Sequence, residues 1–259
     1  MKFEVDSSDL REALESVMVK GKGTTNSGFG NTNLGTYACL YVKDGVLSVW
    51  NGSPSFCVKI DIPLEGESVD GDFCVDSMKI IPYLKSFGGV VDFNVGDFIT
   101  ITTEPHGTNR TASIPLVVLH PNADAISRLK NMLNHIRYEV QPQTLFNFGK
   151  SKFEGAFVLT QPQFKETIKN CELVKSGVYK LDFNENVLTV STRQDATNKY
   201  EEVITPVFPL GEPATVEFSS PVYAFFKSDQ MVNVYMKDDH PLLLVSNDRM
   251  LLKAPHISG

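Results

Sequence analysis

The side chains that most often do chemistry in proteins are present in this chain of 259 residues, but their spacing fits no catalytic or metal site. The five histidines follow no HExxH or similar ligand pattern, and the sequence has no CxxC pair and no GxSxG motif. Asp238, Asp239 and His240 adjoin one another between two strand-like runs, which is typical of a turn. Glu201 and Glu202 are neighbours in a strand-like run, so they point to opposite faces and form no carboxylate pair. We therefore expect no enzyme, no metal and no cofactor.

A glycine-rich segment at residues 21–35 resembles a phosphate-binding loop only superficially. It lacks the lysine-serine ending of a P-loop and does not join a strand to a helix. The sequence therefore predicts an ordinary loop at this position.

The charge and composition narrow the class of protein. The formal net charge of −7 argues against a protein that simply coats nucleic acid, although it allows a local basic surface. No apolar run approaches the ~20 residues that span a bilayer, and the N-terminus lacks the apolar segment of a signal peptide. The four cysteines are scattered through strand-like and helix-like segments, which favours reduced thiols. We therefore expect an intracellular protein that binds no membrane.

The elements that would position a functional surface repeat along the chain. A strand, a short helix and three further strands occur in this order four times, which predicts an α+β fold with internal duplication. The helices are expected to begin near residues 9, 77, 161 and 220, and the last should end after two turns near Lys227. Pro82 should kink or shorten the second helix. Capping side chains support these starts: Asp9 with Glu12, Asp76, Thr160 with Gln163, and Ser220 before Pro221.

One segment interrupts the repeat and is the candidate linker between two domains. Residues 119–154 contain apolar side chains at helical spacing, followed by a tract rich in Gln, Pro and Asn. We therefore expect an N-terminal domain at 1–118, a connector at 119–154 and a C-terminal domain at 155–259. A surface helix packed on its own domain is the alternative interpretation of this segment.

Four stretches, taken in order, resemble the DNA sliding clamps of the proliferating-cell-nuclear-antigen (PCNA) type, in an archaeal or viral form. They are KFEV at the N-terminus, FCVDSMKIIPYLKSF, TASIPLV and the closing LLKAPHI. This resemblance implies the DNA-clamp fold: two similar domains, each of two β-α-β-β-β units, with helices lining the inside of a ring. It also implies a processivity factor that encircles duplex DNA without sequence preference and tethers DNA polymerase and other replication and repair proteins.

By the same resemblance, three chains associate head to tail into a closed ring. Residues 109–117 of one subunit would pair with residues 198–206 of the next, and alternation along the first strand suits one packed and one exposed face. The expected interface residues are Thr111, Ser113, Pro115, Tyr200 and Val203.

The resemblance places the helices against DNA. Basic side chains on all four predicted helices are the candidates for phosphate contacts, which carry no sequence preference. These candidates are Arg11, Lys20, Lys79, Lys85, Lys165, Lys169 and Lys227. Glu12 and Glu15 oppose this role on the first helix.

Clamps of this type receive short peptides from client proteins, including the polymerase and the clamp loader, in an apolar pocket beside the connector. Extended backbone after Pro255 would leave N–H and C=O groups for a peptide to pair with. For Trp50, a core position is an equal alternative to a place in the pocket wall. The candidate pocket residues are Trp50, Pro54, Leu129, Met132, Leu133, Ala254, Pro255, His256 and Ile257.

Two other classes of function stay open from the sequence. One is a polymerase accessory protein, monomeric or dimeric, that holds DNA on one basic face without forming a ring. The other is an interaction protein, rich in β-strands, that has no role on DNA.

Overall fold

The computed structural model of the chain describes residues 1–18, 36–53, 56–104, 107–117, 127, 147–148, 151–192, 198–219 and 222–256. The chain divides into two compact units. Unit 1 comprises Met1–Lys20, Thr25–Ser53 and Val58–Asp124, and unit 2 comprises Gly21–Thr24, Pro54–Cys57 and Ala125–Gly259. The expected domain boundaries at residues 118 and 154 stay predictions, because most of the intervening segment lies outside the described residues.

Unit 1 has two sheets, in the strand orders β5-β2-β3-β4 and β1-β6-β7-β8. Its two helices, α1 and α2, pack against each other and against strands of the unit. The elements are β1 (Lys2–Asp6), α1 (Ser7–Val17), β2 (Tyr37–Lys43), β3 (Val46–Ser53), β4 (Phe56–Pro63), β5 (Gly71–Asp76), α2 (Ser77–Phe87), β6 (Val90–Val95), β7 (Phe98–Thr103) and β8 (Arg110–Pro115).

Unit 2 has sheets in the orders β15-β11-β17-β18-β19 and β14-β13-β12-β16, and a short hairpin of β9 and β10. A 3₁₀ turn at Tyr223–Phe225 packs beside its helix α3. The elements are β9 (Asn147–Phe148), β10 (Ser151–Lys152), β11 (Gly155–Thr160), α3 (Gln161–Glu172), β12 (Val178–Asn184), β13 (Val187–Thr192), β14 (Glu201–Ile204), β15 (Val207–Gly211), β16 (Ala214–Ser219), β17 (Met231–Met236), β18 (Leu242–Val245) and β19 (Arg249–Lys253).

The first strand of each repeat pairs with the strands of the neighbouring repeat. In unit 1, β1 pairs with β6, and β5 pairs with β2. In unit 2, β11 pairs with β17, and β16 pairs with β12. The strand-helix-three-strand order predicted from the sequence is confirmed in the first two repeats, whereas the third has a divided last strand and the fourth a 3₁₀ turn in place of the helix. The compact unit is a pair of repeats with exchanged first strands.

Two of the predicted helix starts are confirmed and one is shifted. The Asp76 carboxylate accepts the Met78 N–H at 3.1 Å, and the Thr160 hydroxyl accepts the Gln163 N–H at 3.3 Å. Helix α1 is capped by Asp6, so the expectation of Asp9 with Glu12 is wrong. Strand β1 ends at Asp6 in extended geometry and the helix follows at once. The Ser8 hydroxyl donates a hydrogen bond to the Asp6 carboxylate, and this bond is the main cause that lowers the pKa of the Asp6 carboxyl. The backbone N–H of Ser8 contributes in the same direction.

Pro82 does not shorten α2, which continues to Phe87 and has the same 11-residue length as α1. Pro82 lies on the exposed face of the helix. Water can therefore bind the carbonyl that a proline leaves without an N–H partner. This local loss does not end the helix, because Ile80, Ile81 and Leu84 still bury its other face.

The predicted two-turn helix after residue 220 is also wrong: among the described residues this repeat has only the 3₁₀ turn Tyr223–Phe225. Phe225 and Phe226 are both buried, with their rings 5.2 Å apart in an edge-to-face arrangement. The backbone of Phe226 is extended, so the chain leaves the helical conformation directly after the turn. The Arg249 guanidinium also donates to the Phe225 carbonyl at 2.7 Å, which occupies an acceptor that a longer helix would use. Ser220 and Pro221 lie outside the described residues.

Asp44 and Gly45 form the tight turn of the β2–β3 hairpin, with φ values of 51° and 75°. The run KYEEVITPVF divides into β14 and β15, which pair with β13 and β11 in different sheets. Pro206 lies at the division and has no N–H for a ladder, which explains the break.

Candidate functional site

Strand β8 lies at the end of its sheet, and its register shows which backbone groups point outward. Met1 and Val95 exchange two backbone hydrogen bonds of 2.8 and 3.0 Å, so the polar groups of Val95 face β1. Backbone groups alternate in direction along antiparallel strands. Because the β6–β7 and β7–β8 registers run without a shift, Ala112 and Ile114 must face β7.

The backbone groups of Thr111, Ser113 and Pro115 therefore point to the outer edge of β8. Their side chains are exposed, whereas Ala112 and Ile114 are buried. The predicted alternation is confirmed. Pro115 has no N–H, so the edge offers donors at Thr111 and Ser113 and carbonyl acceptors at all three positions.

Strand β14 ends the second sheet of unit 2. Thr192 donates its N–H to the Tyr200 carbonyl at 3.0 Å, and the Tyr200 N–H bonds the Thr192 hydroxyl at 3.1 Å. Tyr200 therefore faces β13, and alternation along the continuous register turns Val203 toward the outer edge. The Val203 side chain is 64% exposed. Within the part of the chain that the structure describes, no strand pairs with the outer edge of β8 or β14.

Exposed lysines lie on the faces of α2 and α3 that do not pack on the sheets. Lys79, Lys85, Lys165 and Lys169 are all exposed. Lys165 and Lys169 are one helical turn apart, so they share a face. The Lys85 amine is 3.1 Å from the Glu15 carboxylate of α1, which ties that lysine to an acidic neighbour.

The other predicted phosphate-binding residues are placed less favourably. Arg11 is half-buried, and its Nε is buried without a hydrogen-bond partner among the described residues. Lys227 follows the 3₁₀ turn and lies 3.8 Å from the Asp248 carboxylate. Lys20 lies outside the described residues.

Helices α1, α2 and α3 together carry no net charge. Five basic residues are matched by five acidic ones on these helices, so any hold on a polyanion would be weak. The basic residues are Arg11, Lys79, Lys85, Lys165 and Lys169, and the acidic ones are Asp9, Glu12, Glu15, Glu166 and Glu172.

The segment after β19 is attached to the sheet by a bond that the sequence did not indicate. Ala254, Pro255 and His256 are half-exposed and have no regular secondary structure. The His256 N–H donates to the Glu217 carbonyl of β16 at 2.7 Å. The expectation that the backbone N–H after Pro255 is available to a peptide is therefore wrong for His256.

The same arrangement occurs in unit 1, where the Val117 N–H donates to the Cys74 carbonyl of β5 at 3.1 Å. Cys74 and Glu217 occupy matching positions, each two residues before the end of the first strand of its repeat. In both units, the segment that follows the last strand covers part of a sheet edge.

Trp50 is buried, with 7% of its side chain exposed, and the Lys59 amine lies 5.5 Å from the centre of its ring. The indole therefore offers little open surface to a ligand, and its part in a peptide pocket stays a prediction. The other candidate pocket residues, Pro54, Leu129, Met132, Leu133 and Ile257, lie outside the described residues.

A polar cluster that sequence reasoning missed holds the 3₁₀ turn in place. Arg249 is 3% exposed, and besides its bond to Phe225 its Nε lies 3.4 Å from the Asp248 carboxylate. Gln230 donates to the same carboxylate. The only signal in the sequence is an arginine at the start of the apolar run RMLLKA.

The residues that the structure describes contain neither a cluster of metal-binding side chains nor a membrane-spanning helix. No group of three or more His, Cys, Asp or Glu side chains there is arranged to hold a metal ion. No helix within the same residues is long and apolar enough to cross a membrane.

No sequence profile of a known protein family matches the chain, and no curated protein matches it. Solved structures do match. The PCNA of A. fulgidus, solved with the C-terminal region of FEN-1 bound, is 14% identical with a TM-score of 0.68, and the match covers 100% of this chain and 99% of that one. Thermococcus kodakaraensis PCNA is also 14% identical, with a TM-score of 0.67 and coverage of 98% and 99%.

The DNA polymerase III β subunit of Thermotoga maritima is 14% identical with a TM-score of 0.72. The match covers all of this chain, which spans 66% of the length of that bacterial subunit. Matches at such identities establish the fold, so the chain has the DNA-clamp fold expected from the sequence.

Proposed function

We propose that this chain is a DNA sliding clamp, a non-catalytic processivity factor that closes into a ring around duplex DNA and tethers DNA polymerase. The observation that carries the proposal is the match of the whole chain to archaeal PCNA over nearly its full length. The second support is the pair of sheet edges, β8 in unit 1 and β14 in unit 2, whose outward backbone groups have no strand partner among the described residues.

Ring closure follows from these two edges. The outward groups of Thr111 and Ser113 in one subunit pair with those around Val203 in the next. The two edges are different surfaces, so the contact is head to tail, and repeated contacts of this kind close into a ring when the rotation allows it. Closure also removes the exposed edges, which would otherwise favour aggregation. Three subunits per ring are part of the proposal.

The helix faces meet the DNA through scattered phosphate contacts. Lys79, Lys165 and Lys169 are the exposed candidates, while Lys85 and Lys227 are placed beside acidic partners. Phosphate contacts carry no sequence information, as a sliding protein requires. Because the helices are neutral overall, the ring stays on DNA by encircling it more than by electrostatic affinity.

Client proteins dock through short peptides near the C-terminal segment 254–256. The support is the A. fulgidus PCNA that was solved with the C-terminal region of FEN-1. By the same likeness, the polymerase and the clamp loader are the expected clients of this chain.

Two measurements test the proposal: the mass of the assembly in solution and its retention on circular DNA. Light scattering should give three times the mass of one chain. Subunits diluted and allowed to reassociate with nicked circular DNA should remain on the circle in high salt and leave once it is cut.

A monomer or dimer that holds linear and circular DNA equally would support the accessory protein without a ring. Absence of any salt-dependent DNA binding would support an interaction protein with no role on DNA.

A further inference from the structure

Two cysteines face each other across neighbouring strands of unit 1. Cys39 of β2 and Cys74 of β5 are directly opposite in the antiparallel register. Their sulfur atoms are 2.8 Å apart. Residues directly opposite in an antiparallel pair have their side chains on the same face of the sheet, so the two thiols point in the same direction.

The backbone geometry at this pair suits a covalent bond. The Cys74 carbonyl accepts the Val117 N–H at the outer edge of β5, so the backbone groups of Cys74 point away from β2. Cys39 and Cys74 therefore form a non-hydrogen-bonded pair, whose Cα atoms are about 4.5 Å apart in antiparallel sheets. Disulfides span Cα separations from about 4.4 to 6.8 Å. A bond can thus form without separating the strands.

The two thiols of the pair differ in their exposure to solvent. Cys74 is half-exposed, whereas Cys39 is 5% exposed. The other two cysteines are enclosed: Cys57 is 1% exposed, and Cys171 is fully buried with its thiol pKa raised to about 11, chiefly by burial. An oxidant in solution can therefore reach Cys74 first.

We propose that Cys39 and Cys74 form a reversible cross-strand disulfide when the protein meets a small-molecule disulfide such as glutathione disulfide. The Cys74 sulfur, after losing its proton, attacks one sulfur of glutathione disulfide and releases one glutathione. The Cys39 sulfur then attacks Cys74 in the mixed disulfide and releases the second glutathione. Two protein thiols are oxidised, one glutathione disulfide is reduced to two thiols, and glutathione reverses the reaction.

The bond would join the two repeats of unit 1, because β2 belongs to the first repeat and β5 to the second. It would also restrain β5, the strand whose Cys74 carbonyl accepts the Val117 N–H. This modification does not depend on what the protein binds, so it stands apart from the proposed clamp function.

The test uses the full chain, incubated with glutathione buffers of increasing oxidised fraction and then alkylated. Mass spectrometry of the intact protein should show the alkylated thiols fall from four to two, with the loss of two hydrogen atoms and no added glutathione. Peptide mapping should link the peptide of Cys39 to that of Cys74. Unfolding temperature should rise on oxidation and return on reduction.

Matched variants identify the pair. The substitutions Cys39→Ser and Cys74→Ser should each abolish the linked peptide and the shift in unfolding temperature, whereas Cys57→Ser and Cys171→Ser should change neither. A stable glutathione adduct on Cys74, a link to Cys57, or four reactive thiols at every buffer ratio would overturn the proposal. The peptide map of the unsubstituted protein decides the matter even if a variant fails to fold.

Discussion

The backbone N–H of His256 bonds the carbonyl oxygen of Glu217 at 2.7 Å and so joins the last described residue of the chain to the edge of β16. The bond makes the C-terminal segment part of the sheet. The segment expected to receive client peptides therefore has a structural role as well, and a test of docking must separate the two.

Deleting residues 254–259 should abolish binding of the client polymerase's terminal peptide and lower the free energy of unfolding by about 1 kcal/mol, the contribution of one hydrogen bond. His256→Pro removes the N–H together with the side chain and should reproduce the loss of stability, whereas His256→Ala removes the side chain alone and should retain the hydrogen bond to Glu217. Calorimetry with the peptide and urea denaturation measure the two effects. Undiminished affinity in the truncated protein would place docking elsewhere.

Val203→Pro should prevent ring assembly while leaving the monomer folded, because the N–H that it removes points to the outer edge of β14. Glu202→Pro is the matched control, since its N–H faces β13 and its loss should destabilise unit 2. Light scattering over a dilution series gives the mass, and circular dichroism gives the fold. A Val203→Pro protein that stays trimeric at low concentration would show that the interface lies elsewhere.

The double substitution Lys165→Glu and Lys169→Glu should shorten retention on DNA and reduce polymerase processivity. If each lysine contacts one phosphate, the slope of log K against log salt concentration should flatten by about 1.8. Stability should change little, because both side chains are exposed. Lys2→Glu with Lys43→Glu makes the same charge change on exposed strand positions. Equal effects of the two pairs would argue against a DNA-facing α3.

Gly155→Ala should destabilise unit 2 by about 1–3 kcal/mol, the usual cost of overpacking. An added Cβ would lie 2.8 Å from a ring carbon of Phe183 and 3.1 Å from the Glu212 carbonyl oxygen. Gly96→Ala is the control, because nothing lies within 4 Å of its added Cβ. Chemical denaturation measures both, and equal stabilities of the two variants would contradict the packing described for Phe183.

Lys253→Met should stabilise the protein at pH 7, with an advantage that narrows as the pH rises toward 10.5, the ordinary pKa of a lysine amine. Burial lowers the pKa of the Lys253 amine below its usual value. At pH values between the folded and unfolded pKa values, the unfolded chain binds more protons, so the stability of the unsubstituted protein rises with pH. The exposed Lys43→Met is the control. An advantage for Lys253→Met that is absent or independent of pH would contradict this account.

The sequence predicted the fold well wherever the signal was local. The Asp76 carboxylate and the Thr160 hydroxyl are side chains typical of the residue that caps the start of a helix, and both caps are confirmed. Asp6 was missed because Asp9, with Glu12 three residues later, fits the capping-box pattern equally well. Only the position where β1 ends decides between them, and that depends on pairing with β6.

The features that sequence reasoning missed depend on distant contacts. The 3₁₀ turn is held by Arg249, 24 residues after Phe225, and no local pattern connects the two. The Glu217 carbonyl and the direction of the Val203 N–H are backbone properties, which follow from register and not from side-chain identity. The roles of the predicted lysines, interface residues and pocket residues stay predictions.

The exchange of first strands between repeats constrains the order of folding. Phe3 of β1 pairs opposite Phe93 of β6, so the first strand to be synthesised has no sheet partner until most of unit 1 has been made. In unit 2, β11 must likewise wait for distant partners, first β15 and then β17, where Val234 lies opposite Phe157. Pairing of such distant segments slows folding, because a long loop must close, at a cost in entropy, before the stabilising contacts can form. Nascent chains of this protein should therefore be most prone to aggregate just before β6 emerges, and a chain ending before β6 should not form a stable sheet with β1.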